Sequence, residues 1–192
     1  DPGPFTAKGL FYSIEQAIEI YFSEGLKNKK IAIQGAGSVG MRLAEHLANS
    51  GAKVFISDID QSKLDKINNK EIICVDDAFS IECDLFSPCA VGAIFTKESI
   101  HNLNCKIIAG GANNQLLDGT VANELEQMGI IFIPDILINS GGVIGLTKDF
   151  LNKNDAETDE SLKEIAARVK SLIIESEKQS ISIYNALLAK NL

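Results

Sequence analysis

The chain has 192 residues, 45% of them hydrophobic, which is enough for one domain with a substantial core. A net charge of −8 and a pI near 4.8 argue against a nucleic-acid partner, because such partners usually need a basic surface. The chain shows no secretory signal and no apolar run near the roughly 20 residues of a membrane span. We therefore expect a cytoplasmic protein that does not contact membranes.

Hydrophobic periodicity predicts strands that alternate with helices. In chain order we expect a helix at residues 7–22 capped by Thr6, a strand at 31–33, a helix at 39–50, a strand at 54–56 and a short helix at 62–68. Strands follow at 72–75, 83–86, 106–109 and 130–133, with a helix at 120–128. This order predicts an α/β fold with a doubly wound, Rossmann-type, mostly parallel sheet and flanking helices.

The segment from residue 29 to residue 58 carries the most specific local pattern. A strand enters the glycine sequence Gly35, Ala36, Gly37, Ser38, Val39 and Gly40, a helix follows, and the next strand ends at Asp58. In dinucleotide-binding folds such glycines permit a tight turn, the approach of a pyrophosphate and close packing of helix on strand. Asp58 can accept hydrogen bonds from both ribose hydroxyls and would repel a 2′-phosphate, which favours NAD over NADP. A glycine turn in another kind of βα unit is the alternative.

Cysteine and histidine offer no metal or triad signature. The four cysteines are Cys74, Cys83, Cys89 and Cys105. They form no CxxC pair, so we expect free thiols and no bound metal. His46 and His101 lack the sequence partners of a catalytic triad, so we expect structural histidines.

Polar or small residues follow several predicted strands, where ligands bind in open parallel sheets. Beyond the glycine loop and Asp58, they lie at residues 88–90, at 110–114 and at Asn139. We expect these residues to converge on one crevice. Asn114 and its neighbour Asn113 carry donors and acceptors suited to a nicotinamide amide or a substrate amino acid. A plain turn at this Asn pair, and a helix-entry turn at residues 141–142, are the alternatives.

These later motifs resemble the Glu/Leu/Phe/Val dehydrogenase family, and most closely its leucine dehydrogenase branch. The matching segments occur in family order at residues 4–9, 34–40, 57–60, 83–90, 108–116 and 134–143. Ser38 and Gly40 depart from the Asn and Ala that are common in that branch, although both are compatible with pyrophosphate binding. The combination of segments is far more specific than the glycine triplet alone.

The resemblance implies an NAD-dependent, two-domain, homo-oligomeric enzyme that interconverts an L-amino acid and its 2-oxo acid with release of ammonia. The residues it implies for NAD are Thr6, Gly35, Ala36, Gly37, Ser38, Val39, Gly40, Asp58, Ile59, Cys89, Ala90, Ala112 and Asn114. Those it implies for the substrate are Asn114, Asn139, Val143 and Leu146, of which the last two would line an aliphatic side-chain pocket. The family's catalytic lysines and aspartate belong to an N-terminal substrate domain, so no catalytic residue is expected in this chain.

We therefore expect a dinucleotide-binding domain at residues 1–150 and a C-terminal helical segment at 151–192 that packs on it. Within these, a helix is predicted at 143–150, a loop at 152–159, and a long amphipathic helix from Ser161 that breaks near residues 179–180. That helix could instead dock a missing N-terminal domain. The start at Asp1, without Met, agrees with a piece of a longer protein.

The predicted function is the NAD-binding domain of an enzyme that deaminates a branched-chain, leucine-like L-amino acid. A stand-alone NAD-binding regulatory module is one alternative. A valine, phenylalanine or glutamate dehydrogenase of the same family is the other.

Overall fold

A computed structural model describes residues 1–90, 92 and 94–190. Its strands are β1 (Lys30–Gln34), β2 (Lys53–Ser57), β3 (Ile72–Cys74), β4 (Cys83–Pro88), β5 (Cys105–Ile108) and β6 (Ile131–Phe132). They form one sheet in the order β3-β2-β1-β4-β5-β6, and every described pair is parallel. This order confirms the predicted doubly wound fold. Outside the described residues lie Val91 and Ala93 of the predicted domain at 1–150, and Asn191 and Leu192 of the predicted C-terminal segment at 151–192.

Helices flank the sheet. They are α1 (Gly3–Phe22), α2 (Ser38–Asn49), α3 (Gln61–Leu64), α4 (Gly119–Gln127), α5 (Asp135–Ile138), α6 (Gly141–Thr147), α7 (Asp155–Gln179) and α8 (Ile183–Ala189). Side chains of successive strand residues point to opposite faces, so Ile31 and Ile33 of β1 join one hydrophobic cluster and Ala32 joins a second. The sheet is therefore buried on both faces, as parallel sheets require.

The predicted start of the first helix is wrong. Thr6 is not an N-cap, because α1 begins at Gly3 and the Thr6 hydroxyl donates to the carbonyl of Pro2 at 3.2 Å, one turn back. Pro2 and Pro4 explain the earlier start, since proline is compatible with the first helical turn and has no N–H that needs a cap. The consequence is that Thr6 lies inside the helix, only 7% exposed.

The predicted loop at residues 152–159 is too long, because α7 begins at Asp155. Asn154 accepts from the backbone N–H of Glu157 at 3.0 Å, and the Glu157 carboxylate accepts from the N–H of Asn154 at 2.8 Å. Polar residues that suggested a loop are therefore a capping box followed by the first helical turn. The predicted break near residue 180 is confirmed, since α7 ends at Gln179 and Ser180 has a left-handed backbone with φ of 53°.

The apolar face of α7 packs against α1. Leu162, Ile165 and Val169 are at most 2% exposed, and Val169 belongs to the hydrophobic cluster that includes Leu10 and Ile14 of α1. The contact is close at Gly9, where an added Cβ would lie 2.9 Å from Cδ1 of Ile165. The C-terminal helices thus share one hydrophobic cluster with the sheet.

Candidate functional site

The carboxyl ends of β1, β2 and β4 lie side by side where the strand order reverses. Gln34 at the end of β1 pairs with Ser57 and with Pro88, the last residues of β2 and β4. The following loops therefore start next to one another and enclose a cleft of about 470 Å³. The cleft is lined by Gln34, Gly35, Gly37, Ser57, Asp58, Ile59, Lys63, Asp76, Asp77, Cys89, Ala90 and Ile94. Such a switch point is where ligands bind in doubly wound sheets.

The three glycines of the loop have three different surroundings. Gly35 has φ of +103°, and a Cβ there would lie 2.8 Å from the backbone nitrogen of Ala90. A Cβ at Gly40 would lie 1.9 Å from the carbonyl oxygen of Gly35, so α2 packs closer to the turn than even alanine allows. A Cβ at Gly37 would meet no atom of the described residues within 4 Å. Gly35 and Gly40 are thus required by the fold, whereas Gly37 leaves open space at the start of α2.

That open space suits an anion. Helix N-termini carry free N–H groups and a partial positive charge. The Asp1 carboxylate lies at this end of α2, where the Ser38 hydroxyl donates to it at 3.0 Å and Nη2 of Arg42 lies 3.2 Å away. The same surroundings fit a pyrophosphate, so the residues present are compatible with a dinucleotide.

Asp58 is the most constrained polar residue of the cleft. Its side chain is 6% exposed, its Oδ2 accepts from the N–H of Ala36 at 2.7 Å, and its Oδ1 accepts from the N–H of Asp60 at 2.9 Å. The ammonium of Lys63 donates to both oxygens at 3.1 Å. Burial alone would raise the pKa of Asp58, but these donors outweigh it and hold that pKa below its ordinary value. Asp58 therefore presents a carboxylate.

Some lining residues were missed by sequence reasoning. Lys63, Asp76 and Asp77 line the cleft, and Gln34 contributes a buried side-chain Oε1 that has no hydrogen-bond partner among the described residues. The position of Gln34 at the carboxyl end of β1 was the available signal, because ligands bind at that edge. No local pattern marked Lys63.

Cys89 and Ala90 follow β4 and close one side of the cleft. The Cys89 N–H donates to the carbonyl of Gln34 at 2.7 Å, which fixes this loop to the end of β1. Burial raises the pKa of the Cys89 thiol, so it stays protonated and can exchange a weak hydrogen bond with the Ser87 hydroxyl at 3.5 Å. This cysteine acts as a packed side chain rather than a nucleophile.

The two asparagine motifs meet, although they are far apart in sequence. Nδ2 of Asn139 donates to Oδ1 of Asn113 at 2.6 Å, and the N–H of Asn114 donates to Oδ2 of Asp135 at 2.9 Å. Asn114 has φ of 53°, a left-handed conformation that asparagine tolerates, so this pair also makes a turn. Buried Gln115 fixes the turn by donating to the carbonyls of Gly110 and Ala112.

Four further residues that the resemblance assigned to the site do not line the 470 Å³ cleft, namely Thr6, Ala112, Val143 and Leu146. Ala112 is 3% exposed and is held to the end of β4 by its N–H, which donates to the Pro88 carbonyl at 2.9 Å. Thr6 faces Gly142, where an added Cβ would lie 2.8 Å from its hydroxyl oxygen. Val143 and Leu146 are 63% and 67% exposed, one turn apart on α6.

Within residues 1–90, 92 and 94–190, no three His, Cys, Asp or Glu side chains are grouped as a metal site requires. None of the helices in the described part of the chain combines the length and apolarity needed to cross a membrane.

Comparison with known proteins identifies the family. A family model described as Glutamate/Leucine/Phenylalanine/Valine dehydrogenase matches residues 3–60 and 55–189. The chain belongs to this family. The predicted resemblance is thereby confirmed, and the wider class is that of amino-acid dehydrogenases with a Rossmann-type fold.

Relatives in this family act on several amino acids. The chain is 39% identical over 158 residues to a leucine dehydrogenase of Thermoactinomyces intermedius, an alignment covering 80% of this chain and 43% of that protein. It is 37% identical over 169 residues to a phenylalanine dehydrogenase of Lysinibacillus sphaericus, covering 83% and 44%. The crystal structure of L-tryptophan dehydrogenase from Nostoc punctiforme superposes with a TM-score of 0.91 at 30% identity, covering 97% and 57%. The chain thus spans about half the length of the relatives it matches.

Proposed function

We propose that this chain is the NAD-binding domain of an amino-acid dehydrogenase. The enzyme would reversibly convert a branched-chain, leucine-like L-amino acid into its 2-oxo acid and ammonia. The observation that carries the NAD assignment is the Asp58 carboxylate, held by two backbone N–H groups beside the open position at Gly37. Leucine dehydrogenases among the relatives support the substrate class.

In this proposal the chain binds and orients the cofactor, and NAD, when bound, supplies the hydride acceptor. The glycine loop holds the pyrophosphate, and Asp58 with Ile59 holds the adenosine ribose. The residues assigned to the nicotinamide side are Thr6, Cys89, Ala90, Ala112 and Asn114. The cleft favours an adenosine ribose without a 2′-phosphate, because Asp58 and the nearby Asp76 and Asp77 would repel that phosphate.

The substrate side of the proposal rests on α6 and on the asparagine pair. Asn114 or Asn139 would orient the amino acid by its amine and carboxylate. Val143 and Leu146 expose apolar side chains one turn apart, which suits an aliphatic substrate. An aromatic amino acid is the second candidate, because phenylalanine and tryptophan dehydrogenases are among the relatives.

The general base is proposed to lie in a substrate domain outside these residues. A lysine that acts as a base near neutral pH needs a lowered pKa. The hydrogen bond to Asp159 raises the pKa of Lys8, and the hydrogen bond to Asp155 raises that of Lys148. Neither lysine is therefore suited to that role. We further propose a cytoplasmic, homo-oligomeric parent enzyme.

Three measurements test this function. Calorimetric titration of the chain should show NAD⁺ binding clearly tighter than NADP⁺ binding, and equal affinities would refute the cofactor assignment. A substrate panel on the full-length protein should give the highest kcat/KM for leucine among leucine, valine, phenylalanine, tryptophan and glutamate. NAD⁺ binding without turnover of any amino acid would favour a regulatory module. The isolated chain should produce no NADH from leucine, since the proposed base lies outside it.

A further inference from the structure

Donors from the described residues occupy the acceptor positions of the Asp58 carboxylate. A carboxylate offers about four lone-pair positions, two on each oxygen. Here two are used by the N–H groups of Ala36 and Asp60, and the other two by the ammonium of Lys63, at 3.1 Å from each oxygen. The two ribose hydroxyls that Asp58 would bind need two of these positions. Only the positions held by Lys63 can be released without breaking the backbone structure of the loop.

Lys63 is able to move, whereas Asp58 is not. The Lys63 side chain is 40% exposed and extends from α3, a single helical turn, whereas the Asp58 side chain is 6% exposed. The partly solvated ammonium can leave at a smaller cost than the two backbone N–H groups, because it sits on a long flexible stem and regains water as it moves. After it leaves, Lys63 still lies in the same cleft, beside the ribose edge that Asp58 would hold.

We propose that Lys63 tunes the selectivity of this site between dinucleotides with and without a 2′-phosphate, an inference that rests on the proposed function. Lys63 competes with the ribose hydroxyls for Asp58, which weakens NAD binding. Its displaced ammonium then partly neutralises the repulsion between Asp58 and a 2′-phosphate, which makes NADP binding less unfavourable. Lys63 is therefore a specificity-determining residue, and removing its charge should increase the difference between the affinities for NAD⁺ and NADP⁺.

The test is calorimetric titration of NAD⁺ and NADP⁺ into the unmodified chain, Lys63→Met, Lys63→Arg and Lys66→Met. Methionine keeps much of the apolar stem of lysine but has no charge, and arginine restores the charge. Lys66 is an exposed lysine three residues further on, and within the described residues it forms no ion pair with Asp58, so it controls for net charge. Because both dinucleotides carry the same pyrophosphate, the ratio of their affinities cancels the attraction of a lysine for that group, and Lys66→Met measures any non-specific attraction of a nearby lysine for the 2′-phosphate.

We expect Lys63→Met to bind NAD⁺ more tightly and NADP⁺ more weakly, widening the affinity ratio by about tenfold, while Lys66→Met and Lys63→Arg stay near the unmodified ratio. Circular dichroism checks the fold of each variant, and Lys63→Gln serves if Lys63→Met does not fold. An unchanged ratio in the uncharged variant would overturn this inference and leave the proposed function intact. A similar widening in Lys66→Met would also overturn it. If the unmodified chain binds neither dinucleotide, the proposed function itself fails.

Discussion

Gly37→Val is the substitution that best separates binding from folding in this chain. The Gly37 backbone, with φ of −80° and ψ of −167°, is extended and open to any residue. An added Cβ would meet no atom of the described part of the chain within 4 Å, so the valine side chain would extend into the space proposed for the pyrophosphate. We therefore expect a folded protein that no longer binds the dinucleotide.

The expected cost in stability is small. Gly37 is the N-cap of α2, where apolar residues are disfavoured. Replacing this glycine with valine should therefore lower the free energy of unfolding by about 1 kcal/mol or less. The same three carbon atoms added at Gly40 give the contrast, because a Cβ there would lie 1.9 Å from the backbone oxygen of Gly35 and 3.3 Å from Cβ of Cys89. Overpacking against backbone costs about 1–3 kcal/mol or more, so Gly40→Val should be clearly destabilised.

Urea unfolding followed by circular dichroism measures stability, and calorimetric titration with NADH measures binding. Gly37→Val should unfold within about 1 kcal/mol of the unmodified chain and lose at least about tenfold in affinity, equivalent to ~1.4 kcal/mol. Gly25→Ala, also in open space, should change neither quantity. A stable Gly37→Val that binds NADH normally would refute the placement of the pyrophosphate.

Three further outcomes are expected. Asp58→Ser should weaken NAD⁺ binding and narrow its advantage over NADP⁺ in calorimetric titrations, whereas Asp60→Ser, which keeps an N-cap residue at α3, should change neither affinity. Asp135→Ala should lower the free energy of unfolding by about 0.5–1.5 kcal/mol, because the Asn114 N–H loses its acceptor, and Asp135→Asn should lose less in the same urea assay. Hydrogen bonding to Lys8 chiefly holds the pKa of Asp159 at about 2, below its ordinary 3.8, so its contribution to stability is complete above pH 3.8 and is lost as the pH falls through 2. The stability difference between the unmodified chain and Asp159→Asn should therefore be large at pH 7 and small at pH 2, and a constant difference would contradict this cause.

The sequence by itself determined the fold class and the location of the cleft. Alternating strand and helix patterns are local, because each depends on residues a few positions apart, and they sufficed for a parallel, doubly wound sheet. The glycine loop and Asp58 were also visible, since their spacing is set by one strand, one turn and one helix. The start of α1 was misjudged because Thr6 has the side chain of a cap, whereas two prolines allow the helix to begin earlier.

Only the tertiary structure decided which side chains meet. The pair between Asn113 and Asn139 joins two loops 26 residues apart, and it forms because β5 and β6 are neighbours in the sheet. The Oε1 of Gln34, which has no hydrogen-bond partner in the described part of the chain, likewise depends on how the surrounding loops pack. Lys63 and Asp58 are only five residues apart, yet no sequence pattern predicted their ion pair, because a long flexible side chain can reach many partners. This ion pair forms because the chain after β2 places the buried Asp58 carboxylate within reach of the exposed Lys63 ammonium.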